Sequence, residues 1–71
     1  MTMRRKTWFV KRRGRGWAVQ RVDATVADSL HDAREDAIAR GLEISRRAHG
    51  TLKIKDHRGR VEQEFSFASS D

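Results

Sequence analysis

The stretch TWFVKRRGRGWAVQR, Thr7 to Arg21, decides how this chain is read. Thr7 to Lys11 and Trp17 to Arg21 are rich in aromatic and β-branched residues, the composition of strands. Between them Arg12-Arg13-Gly14-Arg15 supplies a glycine able to take positive φ, so the spacing predicts a β-hairpin closed by those residues. In that register Val10 lies opposite Trp17 and Trp8 opposite Val19, and period-2 alternation places all of them on one face. Both tryptophans therefore read as core and not as platforms for stacked bases. Phe9 is the aromatic left pointing outward, beside Lys11.

Working outward, Ala24-Thr25-Val26-Ala27 predicts a short third strand. From Ala33 to Ala48 the apolar period becomes helical: Ala33, Ala37, Ile38, Gly41, Leu42, Ile44, Ser45 and Ala48 share one half of the wheel, and Glu35, Asp36, Arg40, Glu43, Arg46 and Arg47 occupy the other. Asp32 followed by Glu35 reads as a capping box, and Gly50 as the stop signal. Gly41 on the buried stripe costs roughly 1 kcal/mol of helix propensity, which predicts close approach of helix to sheet. Leu52 to Lys55, the turn Asp56-His57-Arg58-Gly59 and Arg60 to Phe67 form a second hairpin. In it Ile54 faces Val61 and Lys53 faces Glu62. Its inward residues are Leu52, Ile54, Val61, Phe65 and Phe67. The fold class is α+β: an antiparallel sheet of four or five strands in the order β-β-(β)-α-β-β, with one helix packed on one face. Residues 1–6 read as a basic N-terminal arm, 7–67 as a single small domain and 68–71 as a frayed tail. The expected core is Trp8, Val10, Trp17, Val19, Ala37, Ile38, Gly41, Ile44, Leu52, Ile54, Val61 and Phe65.

A chain of 71 residues buries only about 60% of the surface its unfolded form exposes, so there is room for one core. It has no cysteine, which excludes both a disulfide framework and a thiolate metal site. The longest apolar runs, Trp8 to Val10 among them, are far short of a membrane span, and no signal-peptide h-region follows the basic start; the expectation is a cytoplasmic protein without a membrane partner. The net charge of +6 is unevenly spread: residues 1–22 hold eight basic groups and no acid, residues 23–71 hold eight basic and ten acidic groups. Such asymmetry points to an anion-binding face, nucleic acid being the commonest polyanion in a cell.

Several of these features recur together in a known family. Trp8-x-Val10, a Gly-containing turn, Gly16-Trp17-Ala18-Val19, a helix with Ala37-Ile38-x-x-Gly41-x-x-Ile44-Ser45, then Leu52-x-Ile54-x-x-x-x-Gly59-x-Val61 resembles the small bacterial family called domain of unknown function 2188. The resemblance covers roughly residues 7 to 67. It implies a hairpin, helix, hairpin domain and brings no catalytic residues. Members place Ser or Thr at the helix cap and Ala where Gly41 stands; this chain departs from both, which puts the helix start in question by one residue.

Catalytic chemistry finds little support in the residues. His31, His49 and His57 fall before the helix, at its end and in a turn, without metalloprotease spacing or a cysteine partner, and no phosphate-cradling glycine loop precedes the helix. The expectation is a non-enzyme without cofactor or metal. Phosphate contact is the sharper reading, through Arg4, Arg5 and Lys6 on the arm, Lys11 and Arg21 on the strands, and Arg12, Arg13 and Arg15 at the tip. Arg13-Gly14-Arg15 and Arg58-Gly59-Arg60 repeat one tripeptide at two predicted turns, and it resembles the minor-groove core of AT-hook proteins without the flanking prolines. The plainer account is that both glycines serve turns and the arginines are solvated. Lys53 and Lys55 point outward too, but Glu62 and Glu64 share their face and neutralise it, confining the anion site to the first hairpin and arm. The alternative function is a protein-interaction module, homodimeric in one form, using the sheet face or edge.

Overall fold

A computed structural model describes residues 6–67. The predicted arm residues Arg4 and Arg5 and the predicted tail lie outside this range. The elements are β1 (Thr7–Arg13), β2 (Gly16–Arg21), β3 (Ser29–His31), α1 (Arg34–Arg47), β4 (Thr51–Lys55) and β5 (Val61–Ser66). The strands form one sheet in the order β3-β2-β1-β4-β5. One helix lies on one face of that sheet, so the class is α+β.

The sheet is mixed, not antiparallel. β1 pairs with β2 antiparallel on one side and with β4 parallel on the other, Trp8 beside Leu52 and Val10 beside Ile54. A parallel neighbour requires a crossover, and α1 provides it by carrying the chain back along the sheet so that β4 enters in the direction of β1. Local periodicity identifies the elements but carries no information about this long-range pairing.

The first hairpin is tighter than the residues suggested. Arg13 pairs with Gly16, Arg12 with Trp17, Val10 with Val19 and Trp8 with Arg21, leaving Gly14-Arg15 as the loop. Gly14 takes φ 59° while Arg15 stays at negative φ, the signs of a type II′ turn, which matches strand twist and wants glycine first. The correction to the register is two residues, so the faces are unchanged: Trp8, Val10, Trp17 and Val19 still point together.

The third strand forms at Ser29–His31, and not at Ala24 to Ala27. The 22–28 connection is pinned instead: the Asp28 amide donates to the Val19 carbonyl, the Trp8 indole Nε1 donates to Asp28 Oδ2 at 2.8 Å, and Gln20 Nε2 donates to the Ala24 carbonyl. Those bonds hold the β-branched residues Thr25 and Val26 in a solvent-exposed loop, so tertiary bonding overrides strand propensity.

Helix α1 buries Ala37, Gly41 and Ser45 in a stripe, with Ile38, Leu42, Ile44 and Ala48 packed beside it. A Cβ on Gly41 would stand 2.8 Å from Leu52 Cδ1 and 3.2 Å from Val10 Cγ2, which is the close approach expected of it. The Ser45 hydroxyl, fully buried, donates to the Gly41 carbonyl at 2.7 Å. The N-cap is Ala33 without a side-chain hydrogen bond, one residue beyond Asp32, so the expected capping box does not form. At the other end His49, and not Gly50, takes the left-handed conformation, with φ 56°. Its amide donates to the Arg46 carbonyl and that of Gly50 to the Ser45 carbonyl, the bond pair of a Schellman motif. Gly50 is required for another reason: a Cβ there would collide with the Lys6 carbonyl and the Trp8 ring.

The core comprises Trp8, Val10, Val19, Ala37, Leu52 and Ile54, with Trp17, Ile38 and Ile44 partly buried against it. Two expected members do not belong. Val61 is 49% exposed and Phe65 39% exposed. In the second hairpin Lys55 pairs with Val61, then a bulge intervenes and Ile54 pairs with Gln63, Lys53 with Glu64 and Leu52 with Phe65. A one-residue slip moves Val61 to the opposite face, and the bulge restores the parity of Phe65. Phe65 thus points to the helix side, but on an edge strand where the helix leaves it partly uncovered.

A candidate nucleic-acid interface

Two antiparallel hairpins, β1–β2 and β4–β5, and the parallel pairing of β1 with β4 fix where the basic residues go. β1 ends in the Gly14-Arg15 turn, and β4, running parallel to it, ends in the Asp56 to Arg60 turn. Both Arg-Gly-Arg tripeptides therefore emerge at the same end of the sheet, although 45 residues separate Arg13 from Arg58. On the helix side, Trp17 on β2 and Asp56 and His57 of the second turn line one shallow hollow together with Arg34 and Glu62.

Each turn is built by a different local chemistry. In the second, the Gly59 amide donates to the Asp56 carbonyl at 3.0 Å, and Gly59 takes φ 87°. Asp56 Oδ1 accepts the Arg58 amide at 2.8 Å and the Arg60 amide at 3.0 Å. The backbone bond from Arg60, aided by that from Arg58 and the nearby charges of His57 and Arg60, outweighs an opposing desolvation and holds the Asp56 carboxyl below its ordinary range. An ionised carboxylate thus sits at the base of the second turn and offsets part of its positive charge. The first turn contains no acid.

The cations fall into groups. Arg13, Arg15, Arg58 and Arg60 are exposed, and among the described residues they form no ion pair. Arg12 lies on the helix side, its guanidinium 5.7 Å from the Trp17 ring centroid and its Nε donating to the Gly14 carbonyl. Arg34 approaches the same ring to 5.4 Å while pairing with Glu62. Arg21 lies at the opposite end of the hairpin, bonded to Asp23 at 3.1 Å and set over the Trp8 ring, and Lys6 precedes β1 at that same end. The structure therefore brings Lys11, Arg12, Arg13, Arg15, Arg58 and Arg60 together and leaves Arg21 and Lys6 apart.

The face away from the helix also departs from the expectation of neutrality. Alternation along β1 and β4 places Phe9, Lys11, Arg13, Lys53 and Lys55 there, because Val10 and Leu52 point into the helix. Glu64, opposite Lys53, shares that face. Glu62 does not: it falls at the bulge and its carboxylate reaches Arg34 at the start of α1. The face is left with a cationic excess, continuous with the turns. The signal for Lys53 and Lys55 was their spacing of two on a strand; what hid them was the bulge, which no local pattern announces.

Domain of unknown function 2188, described as an uncharacterized protein conserved in bacteria, matches residues 4–67. The chain belongs to that family. No curated protein and no solved structure matches it. For a domain of unknown function 2188, the residues themselves are the guide to chemistry. Among the described residues no group of three or more His, Cys, Asp or Glu is placed to hold a metal, and His31, His49 and His57 stand apart on a strand, a helix end and a turn. No helix of the described residues is long and apolar enough to cross a membrane.

Proposed function

We propose that this protein is a small, non-enzymatic, nucleic-acid-associated accessory or regulatory protein of the cytoplasm that binds phosphates through its basic N-terminal hairpin. The observation that carries the reading is the convergence of two Arg-Gly-Arg turns at one end of the sheet through the parallel β1–β4 pairing. Folding alone needs the glycines of those turns. It does not need an arginine on both sides of each. A two-stranded ribbon with a cationic tip is of a size to enter the major groove of a duplex, where guanidinium groups reach phosphates and base edges.

Titration of labelled duplex and single-stranded oligonucleotides at about 50 and 200 mM salt tests the reading, because several phosphate contacts change affinity by orders of magnitude over that range. Absence of binding at the lower salt removes it. Arg13→Ala with Arg15→Ala is expected to weaken binding more than Arg58→Ala with Arg60→Ala, since the Asp56 carboxylate already offsets the second turn. Equal losses would contradict a site centred on the first hairpin.

A second reading, a module that docks a partner protein or another copy of itself, draws on β5. This six-residue edge strand is exposed throughout, with one side of its backbone unpaired in the sheet. Sedimentation analysis checks it: a concentration-dependent dimer supports edge pairing, and a monomer at all concentrations removes the homodimeric form.

A further inference from the structure

We propose that the open face of the sheet is a binding platform for single-stranded nucleic acid, with Phe9 as the ring on which a base stacks. This rests on the nucleic-acid reading above and specifies the ligand class for a different part of the surface. The sheet has two faces and α1 covers one; among the described residues no helix or strand packs on the other. Phe9 sits on that open face on β1, the third strand of five, between Gln20 of β2 and Lys53 of β4. A large aromatic at the centre of an uncovered face adds nothing to the core on the other side.

The charge around it is complementary to a polyanion. Lys11 and Arg13 follow Phe9 along β1 at every second residue, Lys53 and Lys55 flank it on β4, and Glu64 is the acid paired opposite Lys53. A strand rises about 3.3 Å per residue, so Phe9, Lys11 and Arg13 form a row about 13 Å long that leads to Arg15 in the turn. Single-strand binders combine these two components, a positive track for the backbone and aromatic faces for the bases.

The contact that now occupies the ring is of a kind a base can displace. Lys55 Nζ stands 4.4 Å from the Phe9 centroid. Phe9 and Lys55 are both half-buried, and a cation over an aromatic ring that is not fully desolvated is worth roughly two- to fivefold in an equilibrium constant. Stacking of a base on an aromatic is worth roughly five- to 150-fold. The freed ammonium also gains a phosphate, so the exchange favours the strand. A duplex keeps its bases paired and offers the ring nothing, so the platform and the ribbon tip select different ligands.

The test compares anisotropy titrations of a labelled 12-nucleotide DNA strand, the same sequence in RNA, and the DNA duplex, at about 50 mM salt. They are run on the full chain and on Phe9→Leu, Lys53→Ala with Lys55→Ala, and Arg13→Ala with Arg15→Ala. The expected result is that at least one single strand binds more tightly than the duplex and loses about fivefold or more in Phe9→Leu, while duplex affinity stays within about twofold. The ratio of the two affinities is the readout, so a loss of folded protein, which lowers both, does not imitate the effect. Amide shift mapping of the unsubstituted protein with the single strand supplies a second measurement. Perturbation of Phe9, Lys53 and Lys55 supports the platform, and perturbation confined to the two turns overturns it. Binding of duplex and strand alike, unaffected by Phe9→Leu, also overturns it and leaves the hairpin-tip function standing. Binding of neither removes both.

Discussion

His49 is the residue on which the helix end turns. It occupies the left-handed position of a Schellman motif that glycine fills at no steric cost, with φ 56°. His49→Gly is expected to stabilise the protein by about 1 kcal/mol, equivalent to roughly 4–8 °C in Tm for a domain of this size, read by thermal denaturation. Asp28 makes the opposite case. Its side chain is exposed, yet its carboxylate accepts the indole N–H of Trp8, which is 5% exposed. Asp28→Ala strands that donor at the edge of the core and is expected to cost about 1–3 kcal/mol in urea denaturation, well above the ordinary cost of a surface substitution. Sequence placed Trp8 in the core from parity with Val10. Its hydrogen-bond partner, 20 residues away, is a matter of tertiary structure.

At the scale of elements, the two hairpins show where local patterns suffice and where they stop. The first kept its faces despite a change in loop length, because the register moved by two and side chains alternate with that same period. The second slipped by one at Val61, which put a β-branched residue out in solvent and freed Glu62 to pair with Arg34. The Asp56 carboxylate organises that turn, and its pH dependence follows from the sign of its shift. Hydrogen bonds from the Arg60 and Arg58 amides lower its folded-state pKa. Its contribution is therefore present above the unfolded value, about 4, and is lost as pH falls through the lower folded value. Amide exchange at Arg58 and Arg60 is expected to lose protection below about pH 4, ahead of the core strands, when corrected for the intrinsic pH dependence of exchange. Asp56→Asn, which keeps an acceptor oxygen but no charge, should flatten that response.

Across the whole molecule, the parallel pairing of β1 with β4 decides the charge distribution. It collects Arg13, Arg15, Arg58 and Arg60 at one end and sets Lys11, Lys53 and Lys55 beside them on the open face. Like charges held close repel most when unscreened, and at about 10 mM salt the screening length is about 30 Å, against about 8 Å at 0.15 M. Raising salt across that range is expected to raise Tm, and the rise should be smaller in Arg58→Ala with Arg60→Ala; a Tm that falls or stays level would show the cations to be too dispersed to matter. The proposed phosphate site at the tip and the proposed single-strand platform on the face both depend on this same concentration of charge.

By itself the sequence determined the kinds of element, their order, the helix with its buried stripe and the inward faces of Trp8, Val10, Trp17, Val19, Leu52 and Ile54. These follow from periodicities of 2 and 3.6 residues and from glycine in turns, physical effects that act within one element. Tertiary structure decided that β4 lies parallel to β1, that the third strand forms at Ser29–His31, that Val61 faces solvent and that both arginine turns share an end. Each of these depends on which segment meets which across tens of residues. That choice is governed by how one helix and five strands enclose a single core together, and a short stretch of chain carries no record of it.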